Sequence, residues 1–298
     1  MRCQTSFTST NDEAEFYLVA ARMELAGVEA LELMRSTMDE IFVGDDIAVR
    51  RITTYLFQLV DVIHHLCELL TEVKRGCDPN IFYHQVRPWL RGEDSQAGRK
   101  WVFEGIEQDP SLVAPKELSG PSAGQSALIH ALDIFLGTDQ YSHGQAITEH
   151  SSGTSETHTT SKASFLKRMQ SYMPRYHRAF LMHLSENSRL RDLVLSFASK
   201  SDSSPSEDED VGRKGGSALV GAYNTAVLAL KEFRDAHMII VALYIIGPSR
   251  HATPGESQDI KPGTIRKEHE PLRGTGGTDI VCFLKGVRDK TKSALIPH

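Results

Sequence analysis

A chain of 298 residues, 40% hydrophobic and 24% charged, is long enough to bury a sizeable core, and a formal charge of −6 leaves no basic field for a nucleic-acid backbone. Its four cysteines, Cys3, Cys67, Cys77 and Cys282, form no CxxC pair and no dense framework, which fits reduced thiols. The opening MRCQTSFTSTNDEAEF has no apolar signal core, and no stretch reaches the ~18 apolar residues of a membrane span, so a cytoplasmic protein without nucleic-acid or membrane partners is expected.

Residues 11–40 read as a helix, capped by Asn11 or Asp12 and carrying acids in its first turn. Phe16, Val19, Ala20, Met23, Ala26 and Gly27 keep helical spacing, and the small members admit a close neighbour, either another helix or a flat ligand. Gly44 breaks the pattern, and Asp46 is the expected cap of a helix over 47–75 with an Ile52, Leu56, Leu59, Ile63, Leu66, Leu70 stripe. His64 and His65 point about 100° apart and are read as solvent or packing residues. Gly76 stops that helix, and Asp78-Pro79 starts the next.

Arg87 precedes Pro88, which biases it away from helical geometry and predicts a kink or stop. Phe82 and Arg87 then lie beside a break in regular structure. Such a place suits a site, although a surface arginine at a helix end is the plainer reading. WVFEGI at 101–106 reads as a short ordered piece. In GPSAGQSALIHALDIFLG, 120–137, Ser122 is the expected N-cap, with Ala123 and Gly124 allowing close backbone approach and free N–H groups favouring an anion. Asp133, among Leu132, Ile134 and Phe135, needs a partner.

The tract 144–163 has no periodicity and reads as a mobile loop; His143, His150 and His158 are too widely spaced there for a metal site. Helices resume at 165–172, 179–184 and 189–198. Residues 199–216 read as a second mobile insert, in which Ser206 before three acids suits an acidophilic kinase, and 249–273 as a third.

The longest helical pattern lies between the last two inserts, at 217–246, ended by Gly247-Pro248. Its stripe runs Ala226, Leu230, Phe233, His237, Val241, Tyr244. A histidine on such a face is commonly a core residue bonded to a carbonyl; a neutral imidazole facing an apolar cavity is also the usual protein ligand of haem iron. GTGGTD, 274–279, follows no strand and carries no GK[ST], so a loop closing over a small ligand fits better than a phosphate loop. A helix over 280–295 ends the chain. Together these elements predict an all-α fold, one domain over 1–298.

FYLVAARMELAG (16–27), FYHQVRPWLRG (82–92), VFEG (102–105), GPSAGQS (120–126), DIFLG (133–137), YMPRYHRAFL (172–181), HMIIVALYI (237–245) and GTGGTDIVCFLK (274–285) together resemble the indoleamine 2,3-dioxygenase family, its fungal members in particular. The resemblance implies a helical domain holding haem b, and insertion of O2 across the indole C2–C3 bond of L-tryptophan or a related indole to give N-formylkynurenine, the opening of the kynurenine route toward NAD. It implies His237 as the iron's proximal ligand, Arg234 beside a haem propionate, and Ser122 and Asp133 as further haem-side residues. It implies a substrate site of Phe16, Ala20, Phe82, Arg87, Ala123, Thr275 and Gly276. In that site Arg87 takes the substrate carboxylate and Phe82 packs on the indole, while Thr275-Gly276 close over the amino-acid end. No catalytic side chain is assigned, because haem iron and O2 carry the chemistry. Ala20 stands where other members carry serine.

The family also has a smaller N-terminal domain that caps the distal pocket. Only fifteen residues precede Phe16, so this chain is expected to lack it. The alternative reading is a catalytically impaired haem-binding paralogue or fragment without that cap. A monomer is expected.

Overall fold

The computed structural model describes residues 1–95, 100–115, 118–139, 165–200, 210–251, 272–275 and 277–297, without the side chains of 200, 210–214 and 251. Gly276 lies outside these residues, as do most of the three inserts, including Ser206, His143, His150 and His158.

The described residues are all-α, as the periodicity predicts. The helices are α1 (Asn11–Val43), α2 (Asp46–Gly76), α3 (Ala127–Phe135), α4 (Phe165–Gln170), α5 (Arg175–Asn187), α6 (Leu190–Lys200), α7 (Asp210–Val241) and α8 (Ile280–Lys292). Their only β pairing is one antiparallel bridge between Arg273 and Asp279. No helix among them is long and apolar enough to cross a membrane.

The caps differ from expectation by one residue in two places. Thr10, not Asn11 or Asp12, caps α1: its Oγ1 accepts from the Glu13 amide at 3.2 Å, and the Glu13 carboxylate accepts from the amides of Phe7 and Thr8 at 2.8 and 2.7 Å. A hydroxyl three residues before a glutamate satisfies donors on both sides of the helix start, which Asn11 cannot. Asp12 instead accepts from the Asp78 amide at 2.6 Å. Asp45, not Asp46, caps α2 by accepting from the Ala48 amide at 2.7 Å. Asp78 caps the turn Pro79–Ile81 as its sequence predicts.

The long helix α7 begins at Asp210, inside the expected insert, and Gly247-Pro248 does not end the helical path. A π turn, Ala242–Ile246, intervenes, and a short helix, Gly247–His251, follows it. Pro248 then occupies a first turn, where its missing N–H costs nothing. The WVFEGI piece is irregular, with Trp101 and Val102 exposed, until a 3₁₀ turn, Ile106–Gln108, begins at its last residue.

The described chain divides into two compact units. The first comprises Met1–Ala21, Leu70–Ala123 and Ala236–Lys285; the second comprises Arg22–Leu69, Gly124–Asp235 and Gly286–His298. In the second, α3 packs against α5, and Ile52, Leu56, Leu59, Ile63 and Leu66 of the predicted α2 stripe are buried. Each such side chain contributes about 1.5–3 kcal/mol. Gly27 meets α3 there: a Cβ on it would lie 2.2 Å from Leu128 Cδ2, so the close neighbour that the small residues admit is a helix. His64 and His65 are exposed, beside Glu232 and Glu68, as read from their spacing. In the first unit Val19, Val73, Val86, Leu90 and Val241 are buried.

Candidate functional site

The first unit holds most of the predicted site residues. After Pro79–Ile81 the backbone widens into a π turn, Phe82–Val86, then tightens into a 3₁₀ turn, Arg87–Leu90. Arg87 itself stays helical, φ −55° and ψ −35°, against the expectation for a residue before proline. Its N–H reaches back to the Phe82 carbonyl, and the widened turn absorbs the proline in place of a kink at Arg87.

Arg87 is no surface arginine, for only 4% of it is exposed. Its Nη2 donates to the Arg273 carbonyl at 2.8 Å, and its guanidinium carbon lies 5.3 Å from the Tyr83 ring centroid. Nε has no hydrogen-bond partner, and no carboxylate pairs with the group among the described residues. Burial pulls its pKa down to about 10, helped by the neighbouring charge of Arg91. A buried cation with an unmet donor is costly to the fold and favourable to an anion that completes it.

Phe82 is also buried. Its ring centroid lies 4.8 Å from that of Phe16 and 5.8 Å, edge-on, from that of Tyr244. The Tyr244 hydroxyl donates to the carbonyls of Cys77 and Val73, at 2.7 and 3.1 Å, which ties the π turn after α7 to the end of α2. His237, two turns before Tyr244 on the same face, is half-buried. Ala20 and Ala123 are exposed and Ser122 is half-buried.

The glycine loop is built into this unit. The Thr275 carbonyl accepts from the amides of Gly92 and Gly120, at 3.3 and 3.1 Å, and its Oγ1 donates to the Pro121 carbonyl at 2.6 Å. Gly92 and Gly120 have no room for side chains, since a Cβ on either would sit 2.1–2.2 Å from backbone atoms. Gly277, at φ +79°, closes the turn by donating to the Gly274 carbonyl. Thr275 is thereby joined to the residues just before Ser122, and Arg87 to the carbonyl two residues before Thr275. Ser122 does not cap α3; Ser126 does, with extended backbone and its Oγ accepting from the Ile129 amide at 3.5 Å. A 3₁₀ turn, Ala123–Gln125, separates the two serines.

In the second unit Asp133 has the partner its surroundings demand. Its Oδ1 accepts from Arg234 Nη2 at 2.5 Å and from Thr138 Oγ1 at 2.5 Å, while Arg234 Nη1 donates to Thr291 Oγ1. Both members of the ion pair are buried. Tyr83, Tyr244 and Thr138 escaped sequence reasoning as supports of the site. Tyr83 stands four residues before Arg87, a spacing that signals a shared helix face, whereas Thr138 gave no such signal. Among the described residues no group of three or more His, Cys, Asp or Glu gathers to hold a metal by itself.

A family model described as indoleamine 2,3-dioxygenase matches residues 1–294. The chain is 31% identical over 99% of its length to indoleamine 2,3-dioxygenase nanC of Aspergillus nanangensis, covering 62% of that protein. It is 33% identical over 96% of its length to indoleamine 2,3-dioxygenase of Saccharomyces cerevisiae, covering 60%, and 29% identical over 98% to indoleamine 2,3-dioxygenase 1 of Rattus norvegicus, covering 61%. The chain thus spans 60–62% of the length of these curated relatives. With a match running from the first residue to 294, the chain belongs to the indoleamine 2,3-dioxygenase family.

Proposed function

We propose that this chain belongs to a haem-dependent enzyme that inserts O2 across the indole C2–C3 bond of L-tryptophan and yields N-formylkynurenine. The observation that carries the reading is Arg87, a buried guanidinium with an unpartnered Nε and, among the described residues, no carboxylate of its own. An amino-acid carboxylate is the anion that such a planar donor takes.

The residues present fit haem b. His237 is the one histidine of α7, half-buried, with buried Phe233 and Val241 one turn to either side. A neutral imidazole in that company would suit a ligand of the haem iron. Arg234, three residues earlier, would stand beside a haem propionate, its charge matched and its orientation fixed by Asp133. Ser122, half-buried, is in this reading a further haem-side hydroxyl. When bound, haem b supplies the redox-active iron for O2 chemistry, which no side chain here can supply.

The chain's own part is binding and orientation. Arg87 takes the substrate carboxylate and fixes one end of the molecule. Phe82 and Phe16 offer aromatic faces to the indole, and Ala20 and Ala123 leave the wall free of hydroxyls. Thr275 and Gly276 take the amino-acid end, on a loop whose backbone is already bonded to Gly92 and Gly120. Fixed donors and aromatic faces hold the ring for the reaction, and no proton is assigned to any side chain.

The test is an absorption spectrum of the chain after adding haem, in ferric, ferrous and ferrous-CO forms, with and without L-tryptophan, followed by assay for N-formylkynurenine. A histidine-type Soret band that shifts with tryptophan, product formation, and loss of the band in His237→Ala are expected. No specific band, or a band unchanged in His237→Ala, overturns the reading. A band that ignores tryptophan favours a haem protein without substrate.

A further inference from the structure

His130 is buried, 1% exposed, and the function above does not use it. Its two ring nitrogens are both engaged. Nε2 lies 2.8 Å from the Gly124 carbonyl, which only accepts, so Nε2 carries the proton. Nδ1 lies 3.2 Å from Gln170 Nε2 and accepts from it. That tautomer is neutral, and burial lowers the ring's pKa in the same direction, outweighing the Gly124 bond and Asp133, which raise it; Arg234 lowers it further.

The same short stretch has further holds on α4. Gln125 Nε2 donates to Met169 Sδ at 3.7 Å. A Cβ on Gly124 would lie 3.1 Å from the Phe165 ring and 3.3 Å from Met169 Cγ, so the turn packs against α4 with no space to spare. Ser126, next along, donates to Glu24 at 2.7 Å. The turn Ala123–Gln125 is a single 3₁₀ turn, and these side chains tie it to α4. His130 bonds the backbone of the turn and the end of α4 at once.

We infer that His130 is a positioning residue: by bonding the Gly124 carbonyl through Nε2 and Gln170 through Nδ1, it holds the Ala123–Gln125 turn, and with it Ala123 at the substrate's site. This rests on the reading that Ala123 lines that site. A displacement of about 1 Å at a wall of this kind is enough to weaken orientation of the bound ring.

The experiment uses haem-loaded protein and three substitutions, His130→Ala, His130→Asn and His130→Gln. An asparagine amide reaches about as far as Nδ1, and a glutamine amide about as far as Nε2. Only glutamine can therefore restore the bond to Gly124. Two readouts are taken, amide hydrogen exchange across residues 122–130 and the KM and kcat for L-tryptophan. The expected result is faster exchange in the alanine and asparagine variants, a KM raised about tenfold with kcat within about twofold, and near-normal values for glutamine. Wild-type exchange and KM in the alanine or asparagine variant would overturn the inference. So would a glutamine variant as impaired as alanine, since volume and not the Gly124 bond would then matter. If no variant nor the parent turns over tryptophan, the proposed function fails, while exchange alone still decides whether His130 holds the turn.

Discussion

Arg87 and Arg234 are both buried arginines, and the fold treats them oppositely. Arg234 is closed on itself: Asp133 neutralises it at 2.5 Å, Thr291 takes a second donor, and Thr138 steadies the carboxylate. Arg87 has a carbonyl, an aromatic face and an idle Nε. A charge matched within the chain is held in place before any ligand arrives, because an unmatched one costs several kcal/mol. A charge left unmatched in a folded protein points outward from architecture to a ligand that completes it.

The largest effect is expected at Asp133. Asp133→Ala leaves the Arg234 charge buried without its carboxylate and is expected to destabilise the chain by about 3–5 kcal/mol, read by urea denaturation. A loss under about 1 kcal/mol would mean the pair is open to solvent. Replacing both partners, Asp133→Leu with Arg234→Met, is expected to recover much of that stability, while any Soret band of the haem-loaded chain weakens or shifts. Arg87→Leu is expected to behave in the reverse sense. It removes a desolvated charge, so denaturation stability holds or rises, while tryptophan affinity in a spectral titration falls about a hundredfold, the worth of a charge-assisted bidentate contact at ~2–3 kcal/mol. A strongly destabilised Arg87→Leu with unchanged affinity would erase the distinction between the two arginines.

Glu13 sharpens it on the smallest scale, as a buried charge matched by dipoles. Burial pushes its carboxyl up, and the bonds from Thr8 and Phe7 outweigh that and hold it below the ordinary carboxylate range. Its contribution is therefore present above the ordinary range and is lost as pH falls through the lowered value. Glu13→Gln is expected to lower Tm at neutral pH and to flatten the acid limb of the Tm-against-pH curve. An unchanged acid limb would show that the N-terminal segment is held by the stack of Phe7 on Trp89, 5.4 Å apart, and not by the carboxylate.

The local features of this chain were legible because their causes are local. Periodicity at three and four residues marked α1, α2 and α7, and Asp78-Pro79 marked a helix start, since both depend on neighbours within one turn. The starts of α1, α2 and α3 were misplaced where several hydroxyls and carboxylates compete for the same amides, as Thr10 and Asn11, Asp45 and Asp46, and Ser122 and Ser126 do. Gly247-Pro248 was misread as an end because nothing in the sequence says that a π turn will carry the proline into a new first turn.

By itself the sequence determined the all-α class, the order of its helices, the burial of the α2 stripe and the need of Asp133 for a partner. The family likeness was likewise carried by residues in chain order. That the partner is Arg234, 101 residues away, that Arg87 is buried with no carboxylate among the described residues, and that His130 closes on Gly124 and Gln170 came from the three-dimensional packing alone. A helix's period is written in each turn, but which charge meets which, and which donor is left over, depends on how distant segments close upon one another.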